Sequence, residues 1–201
     1  MRRWVITGPM GAGKSAAVAY LRDHHGAGVI SGDDLGHRVL QTPEVITELT
    51  RVFGQEILRD GRVDRSALGR RVFADDQAMA ALNTLTHGRI CRLAETAFTD
   101  LETGGKHALA VLEAAVYFLF PDPPRVDLVV AVLAAADVRQ ARLVRDRNLS
   151  PDEVQGRIRA QRHLDAFWQQ ADVVLDNAGT VSDLENEIDR LVARPPGADP
   201  Q

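Results

Sequence analysis

The stretch Gly8-Pro9-Met10-Gly11-Ala12-Gly13-Lys14-Ser15 fits the pattern G-x-x-x-x-G-K-S without a gap. Its residue types are those of a loop that wraps phosphate. Glycines at Gly8, Gly11 and Gly13 allow tight backbone geometry, so that successive N–H groups face phosphate oxygens. A helix beginning near Gly13 would add its positive end and set the backbone of Ala12, Ser15 and Ala16 around the same anion. Lys14 is suited to reach the β- and γ-phosphates, and the Ser15 hydroxyl to ligate Mg²⁺. The flanks agree: Trp4-Val5-Ile6-Thr7 is short and β-prone, and SAAVAYLRDH after the loop reads as a helix. The ligand expected is a nucleoside triphosphate, ATP in first place, with Mg²⁺. The guanine-reading N-K-x-D of small GTPases has no counterpart, because the one lysine outside the loop, Lys106, stands in an unsuitable context. A small-molecule kinase is the reading left.

Three further groups of residues suit phosphoryl transfer. Asp33 closes the apolar run Ala27-Gly28-Val29-Ile30 through Ser31-Gly32. At the carboxyl end of a strand it would serve as general base or orient an acceptor hydroxyl. The same position also suits an N-cap for a helix beginning at Leu35, and Asp34 reads as its solvent-facing neighbour. Glu113, after the run Ala108–Leu112, could hold Mg²⁺ through water or be an ordinary surface acid. From Asp137 to His163 the chain carries Arg139, Arg142, Arg145, Arg147, Arg157, Arg159 and Arg162 against Asp137, Asp146, Asp152 and Glu153. Arg139, Arg142 and Arg145 recur at threes and so share roughly one helix face. Such a segment suits a lid that closes over phosphates, with Arg142 and Arg145 as the direct contacts; Arg157 and Arg162 read as solvated.

The elements that must position these groups alternate short strands and helices, which indicates an α/β protein with a parallel sheet. Strands are expected at Trp4–Thr7, Ala27–Ile30, Ala108–Leu112, Val126–Leu133 and Asp172–Leu175. From about Pro43 to Leu101 the spacing predicts helices and no strand. Asp64 is placed to cap one through Leu68, Val72 and Phe73, and a longer one follows Asp75 and stops at Gly104-Gly105. Ser150-Pro151-Asp152-Glu153 is a strong helix start, and Thr180 a cap for the last helix. The expected division is a nucleotide-binding core (1–60, 106–136, 166–193), a helical acceptor-binding insertion (61–105), a helical lid (137–165) and a flexible tail (194–201).

Composition narrows the partners. In 201 residues, 45% hydrophobic and 26% charged, there is material for one mid-sized core. The formal charge of −4 argues against a general nucleic-acid or membrane-surface binder. The single cysteine, Cys91, excludes a disulfide within the chain and reads as a buried small hydrophobe. No stretch approaches the roughly 20 apolar residues that span a bilayer, so a cytoplasmic protein is expected. Trp4, Trp168, Phe167 and Phe53 read as packing residues.

The chain resembles the dephospho-coenzyme A kinase family along nearly its whole length. Ile30-Ser31-Gly32-Asp33 stands where that family shows I-D-A-D. Phe53-Gly54-x-x-Ile57-Leu58, Gly61-Arg62-Val63-Asp64-Arg65-x-x-Leu68 and Val72-Phe73 are similar to its F-G-x-x-I-L, D-G-x-x-D-R-x-x-L and V-F segments. His87-Gly88-Arg89-Ile90 resembles its H-P-x-I. Gln140-x-Arg142, Arg145-x-Arg147 and Arg159-x-Gln161 resemble its lid, and Ala171-Asp172-x-x-x-Asp176-Asn177-x-Gly179 its ending. In the stretch matching D-x-P-L-L-x-E the first acid survives as Glu113; the departures are Ala115 for the proline and Leu119 for the last glutamate there, Ser31 for an aspartate and Gly88 for a proline.

The resemblance implies a P-loop NTPase three-layer sandwich and Mg²⁺-dependent transfer of the ATP γ-phosphoryl to the ribose 3′-hydroxyl of dephospho-coenzyme A. It implies Arg65 and His87 on the acceptor side, Asp33 and Glu113 beside the acceptor and metal, and Asn177 and Gly179 as a turn where adenine rests against backbone. A phosphorylated small molecule is the expected acceptor. Two alternatives stay open: a kinase for another small-molecule hydroxyl, and a nucleotide-binding regulatory protein without turnover.

Overall fold

The structure is a computed structural model that describes residues 1–147, 154–156, 158 and 164–194. The expected helix start at Ser150–Glu153, the lid residues Arg157, Arg159, Gln161, Arg162 and His163, and the tail from residue 195 lie outside the described residues.

Five parallel strands form the central sheet. They are β1 (Arg2–Thr7), β2 (Gly28–Ser31), β5 (Leu109–Glu113), β6 (Leu128–Leu133) and β7 (Val173–Asp176). Their order across the sheet is β2-β5-β1-β6-β7. All five expected strands are present, with ends shifted by a residue or two. Their apolar runs face layers on both sides, as parallel sheets require. Trp4 and Ile6 of β1, Leu109 and Val111 of β5, and Val130 and Val132 of β6 point to one face. There they pack on Ala17, Val18 and Leu21 of α1 (Lys14–His25), and on Leu184, Ile188 and Leu191 of the last helix, α8 (Val181–Ala193). The alternate residues face the other way. Arg3 lies over the ring of Phe98, 5.2 Å from its centroid, and a Cβ at Gly28 would come within 2.9 Å of Leu101. Phe98 and Leu101 belong to the end of the long helix α5 (Asp76–Gly104), so helices cover both faces. The fold is the three-layer α/β sandwich of the P-loop NTPases.

The connectivity puts the phosphate loop at the functional end of this sheet. β1 is central, flanked by β5 and β6; the chain leaves it toward the β2 side and reaches β6 only after β5. That reversal is the topological switch point, and ligands bind there beyond the carboxyl ends of the strands. The pairs Ile6↔Glu113 and Ser31↔Glu113 set the last residues of β1, β5 and β2 at one edge.

The chain divides into two compact units. One comprises Met1–Ser31, Ala97–Phe118 and Arg125–Gln201; the other comprises Gly32–Thr96 and Leu119–Pro124. The second holds α2 (Gly32–Leu40), α3 (Pro43–Phe53), α4 (Arg65–Val72) and most of α5. Val45, Leu49, Phe53, Ile57, Leu68 and Val72 are buried at helical spacing. Asp64 caps α4 as expected, accepting from the N–H groups of Ser66 and Ala67. The expectation of no strand here needs correction. A two-stranded ribbon joins β3 (Leu58–Arg59) to β4 (Arg62–Val63) around Asp60-Gly61. Both turn residues have positive φ, 51° and 74°, the geometry that an Asp-Gly hairpin turn selects. Two-residue strands leave no alternation to see in the sequence.

Candidate active site

The phosphate loop has the conformation its glycines permit. Gly8, Gly11 and Gly13 have φ of 130°, 78° and 109°. Each also sits where a side chain has no room. A Cβ at Gly8 would lie 2.1 Å from the Val132 carbonyl oxygen. One at Gly11 would lie 3.0 Å from the Arg139 carbonyl oxygen, and one at Gly13 would lie 2.2 Å from Asn177 Nδ2. Gly13 occupies the N-cap of α1 with no side-chain cap, and the helix's own first turn carries no acid, so the positive end of the helix lies at the loop.

Around this loop the structure gathers side chains from distant parts of the chain. Ser15 donates to Glu113 Oε1 at 2.9 Å. Lys14 Nζ donates to the Pro9 carbonyl at 3.1 Å, curled over its own loop. The Ala12 carbonyl is a junction. It accepts Asn177 Nδ2 at 2.8 Å and Arg142 Nη1 at 3.4 Å, while Arg142 Nη2 donates to the Asn177 carbonyl at 3.0 Å. Asn177 is buried, and its own N–H bonds the Leu133 carbonyl at 2.7 Å, which ties the end of β7 to the end of β6. The Ala115 carbonyl, two residues past Glu113, accepts both Thr7 Oγ1 at 3.4 Å and Trp168 Nε1 at 3.2 Å. Trp168 closes α7 (Asp165–Trp168), so the segment just past Glu113 is held from β1 and from α7 together.

Of the residues expected from sequence, Gly8 to Ala16, Glu113, Asn177 and Arg142 are therefore brought together. Asn177 and Arg142 use their polar atoms to brace the loop backbone in this structure. Arg145 and Gly179 are exposed, Arg145 on α6 (Ala136–Arg147) and Gly179 in the turn before α8. In the second unit, Asp33 and Asp34 are exposed in the first turn of α2. That helix starts at Gly32, so Asp33 is inside it and does not cap a segment from Leu35. Arg65 is exposed at the first position of α4. His87 is not presented to solvent: it is 7% exposed, packs edge-on against Phe120 and bonds the Leu119 carbonyl through Nδ1 at 3.2 Å. Burial holds its pKa below the usual histidine value, the Leu119 contact pulling weakly the other way. Trp4, Phe53, Trp168 and Cys91 are packed in cores as expected.

Thr7 and Trp168 were not legible as site residues. A buried threonine at a strand end and a buried tryptophan both read as packing until the shared acceptor, Ala115, is seen.

A hard dication fits the donor set. Ser15 is a neutral oxygen donor and half-buried Glu113 an anionic one at an open sheet edge, the few-ligand, water-rich arrangement that Mg²⁺ accepts. Among the described residues no group of three or more His, Cys, Asp or Glu forms a tighter metal site. Nor is any of their helices long and apolar enough to cross a membrane.

Strand, glycine loop, Lys-Ser helix start and an acid at the end of the neighbouring strand define a P-loop kinase. The sequence profile of the dephospho-CoA kinase family matches residues 4–183. A dephospho-CoA kinase of Anaeromyxobacter dehalogenans is 38% identical over 196 residues, covering 96% of this chain and 92% of its own. One of Corynebacterium glutamicum is 34% identical over 195 residues, covering 96% of each. The crystal structure of TT1252 from Thermus thermophilus superposes with a TM-score of 0.75 at 31% identity, covering 96% of each chain. This chain belongs to the dephospho-CoA kinase family. A shikimate kinase from Bacteroides thetaiotaomicron, at a TM-score of 0.53 and 20% identity over 94% of this chain and 95% of its own, shares the fold alone.

Proposed function

We propose that the protein transfers the γ-phosphoryl group of ATP to the ribose 3′-hydroxyl of dephospho-coenzyme A. The observation that carries the reading is the Ser15–Glu113 pair at the end of β5, against a phosphate loop with complete motif and helix dipole, in a chain of this family. The backbone N–H groups of the loop bind the polyphosphate, and Lys14 swings from the Pro9 carbonyl to the β- and γ-oxygens. Ser15 and Glu113 would hold Mg²⁺, which supplies charge neutralisation on those oxygens. Asp33 takes the proton of the acceptor hydroxyl as its oxygen bonds to the γ-phosphorus and the bond to the ADP oxygen breaks. Arg142 and Arg145 belong to a lid over 137–165 that neutralises the equatorial oxygens, with Arg142 exchanging its backbone acceptors for phosphate. Asn177 and Gly179 line the adenine side. Arg65 binds a phosphate of the acceptor, and His87, neutral and buried, acts there by holding the Leu119–Phe120 segment. The reaction is that of a cytoplasmic enzyme.

One set of observations favours a second reading. Ser31, Ala115 and Leu119 depart from the family pattern on the acceptor side, which suits a phosphorylated acceptor other than dephospho-coenzyme A.

The test incubates pure protein with ATP, Mg²⁺ and dephospho-coenzyme A and follows coenzyme A by mass spectrometry. The expected kcat lies in the common range of about 1–10³ s⁻¹. Asp33→Asn should lower it about 10²–10⁴-fold with ATP affinity retained. No product from a protein that binds ATP moves the assignment to another hydroxyl. Near-native turnover in Asp33→Asn removes the base role.

A further inference from the structure

Arg139 lies on α6 with Leu143 one turn further on, on the face turned to the phosphate loop. A Cβ at Gly11 would meet the Arg139 carbonyl oxygen and the Leu143 Cγ at 3.0 Å, and Arg139 Cβ at 3.2 Å. Leu143 packs with Val154, Ile158 and Met10, the last a loop residue, in a small apolar cluster. Arg139 is 7% exposed, and among the described residues neither its Nε nor its Nη1 has a hydrogen-bond acceptor. The acid that bears on it is Asp165, through space; among the described residues no ion pair joins them. Burial pulls the guanidinium pKa down, yet an arginine keeps its charge in a protein. A buried cation short of hydrogen-bond acceptors is unfavourable on its own, and an arriving anion would relieve that cost. The neighbouring arginines are placed differently. Arg142 spends its guanidinium on the Ala12 and Asn177 carbonyls, and Arg145 is exposed.

We propose that Arg139, whose side chain leaves α6 beside Gly11, is a phosphate-binding residue, its buried guanidinium held for an oxyanion of a bound polyphosphate. The inference rests on the nucleotide-binding reading of the loop and on no particular acceptor. Its planar fork suits two phosphate oxygens, and a site already stripped of water makes that contact stronger than a solvated lysine would. The anion is a phosphate oxygen of the nucleotide or of a pyrophosphate-bearing acceptor, and the experiment separates the two.

The test measures binding of ATP, inorganic tripolyphosphate and dephospho-coenzyme A to wild type, Arg139→Met, Arg139→Lys and Asp165→Asn by calorimetry, with the melting temperature of each ligand-free protein. Arg139→Met should lose at least about tenfold in affinity for ATP and tripolyphosphate, about 1.4 kcal/mol, with Arg139→Lys in between. The ligand-free Arg139→Met protein should melt at or above the wild-type temperature, since a buried unpaired charge has been replaced by a side chain of similar length. Loss confined to dephospho-coenzyme A would assign the contact to the acceptor's pyrophosphate. Equal affinities in wild type and Arg139→Met overturn the inference alone. So does a ligand-free Arg139→Met that melts well below wild type, or an Asp165→Asn that reproduces its losses; either makes Asp165 the true partner. A wild type that binds neither ATP nor tripolyphosphate removes the nucleotide reading itself and this inference with it.

Discussion

Replacing Gly8 by alanine tests the loop geometry through stability as well as binding. At φ of 130° an alanine is strained, which costs about 1–3 kcal/mol. Its Cβ would lie 2.1 Å from the Val132 oxygen and 3.1 Å from the Val132 carbonyl carbon. Those are backbone atoms of β6, paired on one side with β1 and on the other with β7, so the strand has little freedom to retreat. Displacing the loop instead costs about 1–3 kcal/mol more, the usual range for overpacking a tight site. The sum is about 2–6 kcal/mol. Gly26 is the internal control. It also has positive φ, 62°, at the end of α1, but a Cβ there meets nothing within 4 Å. Gly26→Ala should cost only the left-handed backbone penalty, about 1–2 kcal/mol. At about 2–4 °C per kcal/mol for a chain of this length, the melting temperature falls about 4–24 °C in Gly8→Ala and about 2–8 °C in Gly26→Ala. Thermal melts with and without ATP read both effects. ATP should also rescue Gly8→Ala less, because the displaced loop is the one that binds it. A Gly8→Ala protein that loses no more than Gly26→Ala would refute the clash with β6.

Two further outcomes are expected. Lys14→Ala should weaken Mg²⁺-dependent ATP binding at least about tenfold, roughly 1.4 kcal/mol; equal affinity by calorimetry would remove the role given to its ammonium group. His87, held below its usual pKa by burial, stays neutral in the folded protein while the unfolded chain takes up a proton near pH 6.5. Its contribution to stability should be complete above about pH 6.5 and decline as pH falls below it, because the unfolded state then binds more protons. Denaturant titrations at a series of pH values should show that slope in wild type and a shallower one in His87→Phe, and NMR should find the His87 imidazole titrating below the usual histidine value. An ordinary His87 titration would contradict the buried, Leu119-bonded geometry.

What the sequence by itself determined is the local chemistry. G-x-x-x-x-G-K-S dictates a phosphate loop because three glycines and a helix start lie within eight residues, with no distant partner needed to define them. The caps at Asp64 and Thr180 follow from side chains within three residues of the backbone groups they bond, and the stop at Gly104-Gly105 from a glycine that takes positive φ, 63° at Gly105. The ordered family motifs carried the family in the same way. The Asp60-Gly61 turn shows no strand signal around it in the sequence, because strands of two residues are too short to carry a period.

Only the tertiary structure decided how the loop is held. Asn177 reaches Ala12 across 165 residues, Arg142 across 130, and Glu113 reaches Ser15 across 98. It decided too that His87 is an anchor inside its own unit, and that of three arginines in register one braces the loop, one is exposed and Arg139 is buried with Nε and Nη1 lacking an acceptor among the described residues. The physical reason is common to all of these. Spacing along the chain sets which face of a helix a residue takes, but the burial and the bonding partner of a polar atom depend on which strand ends become neighbours when the sheet assembles, and in this fold those neighbours are remote in sequence.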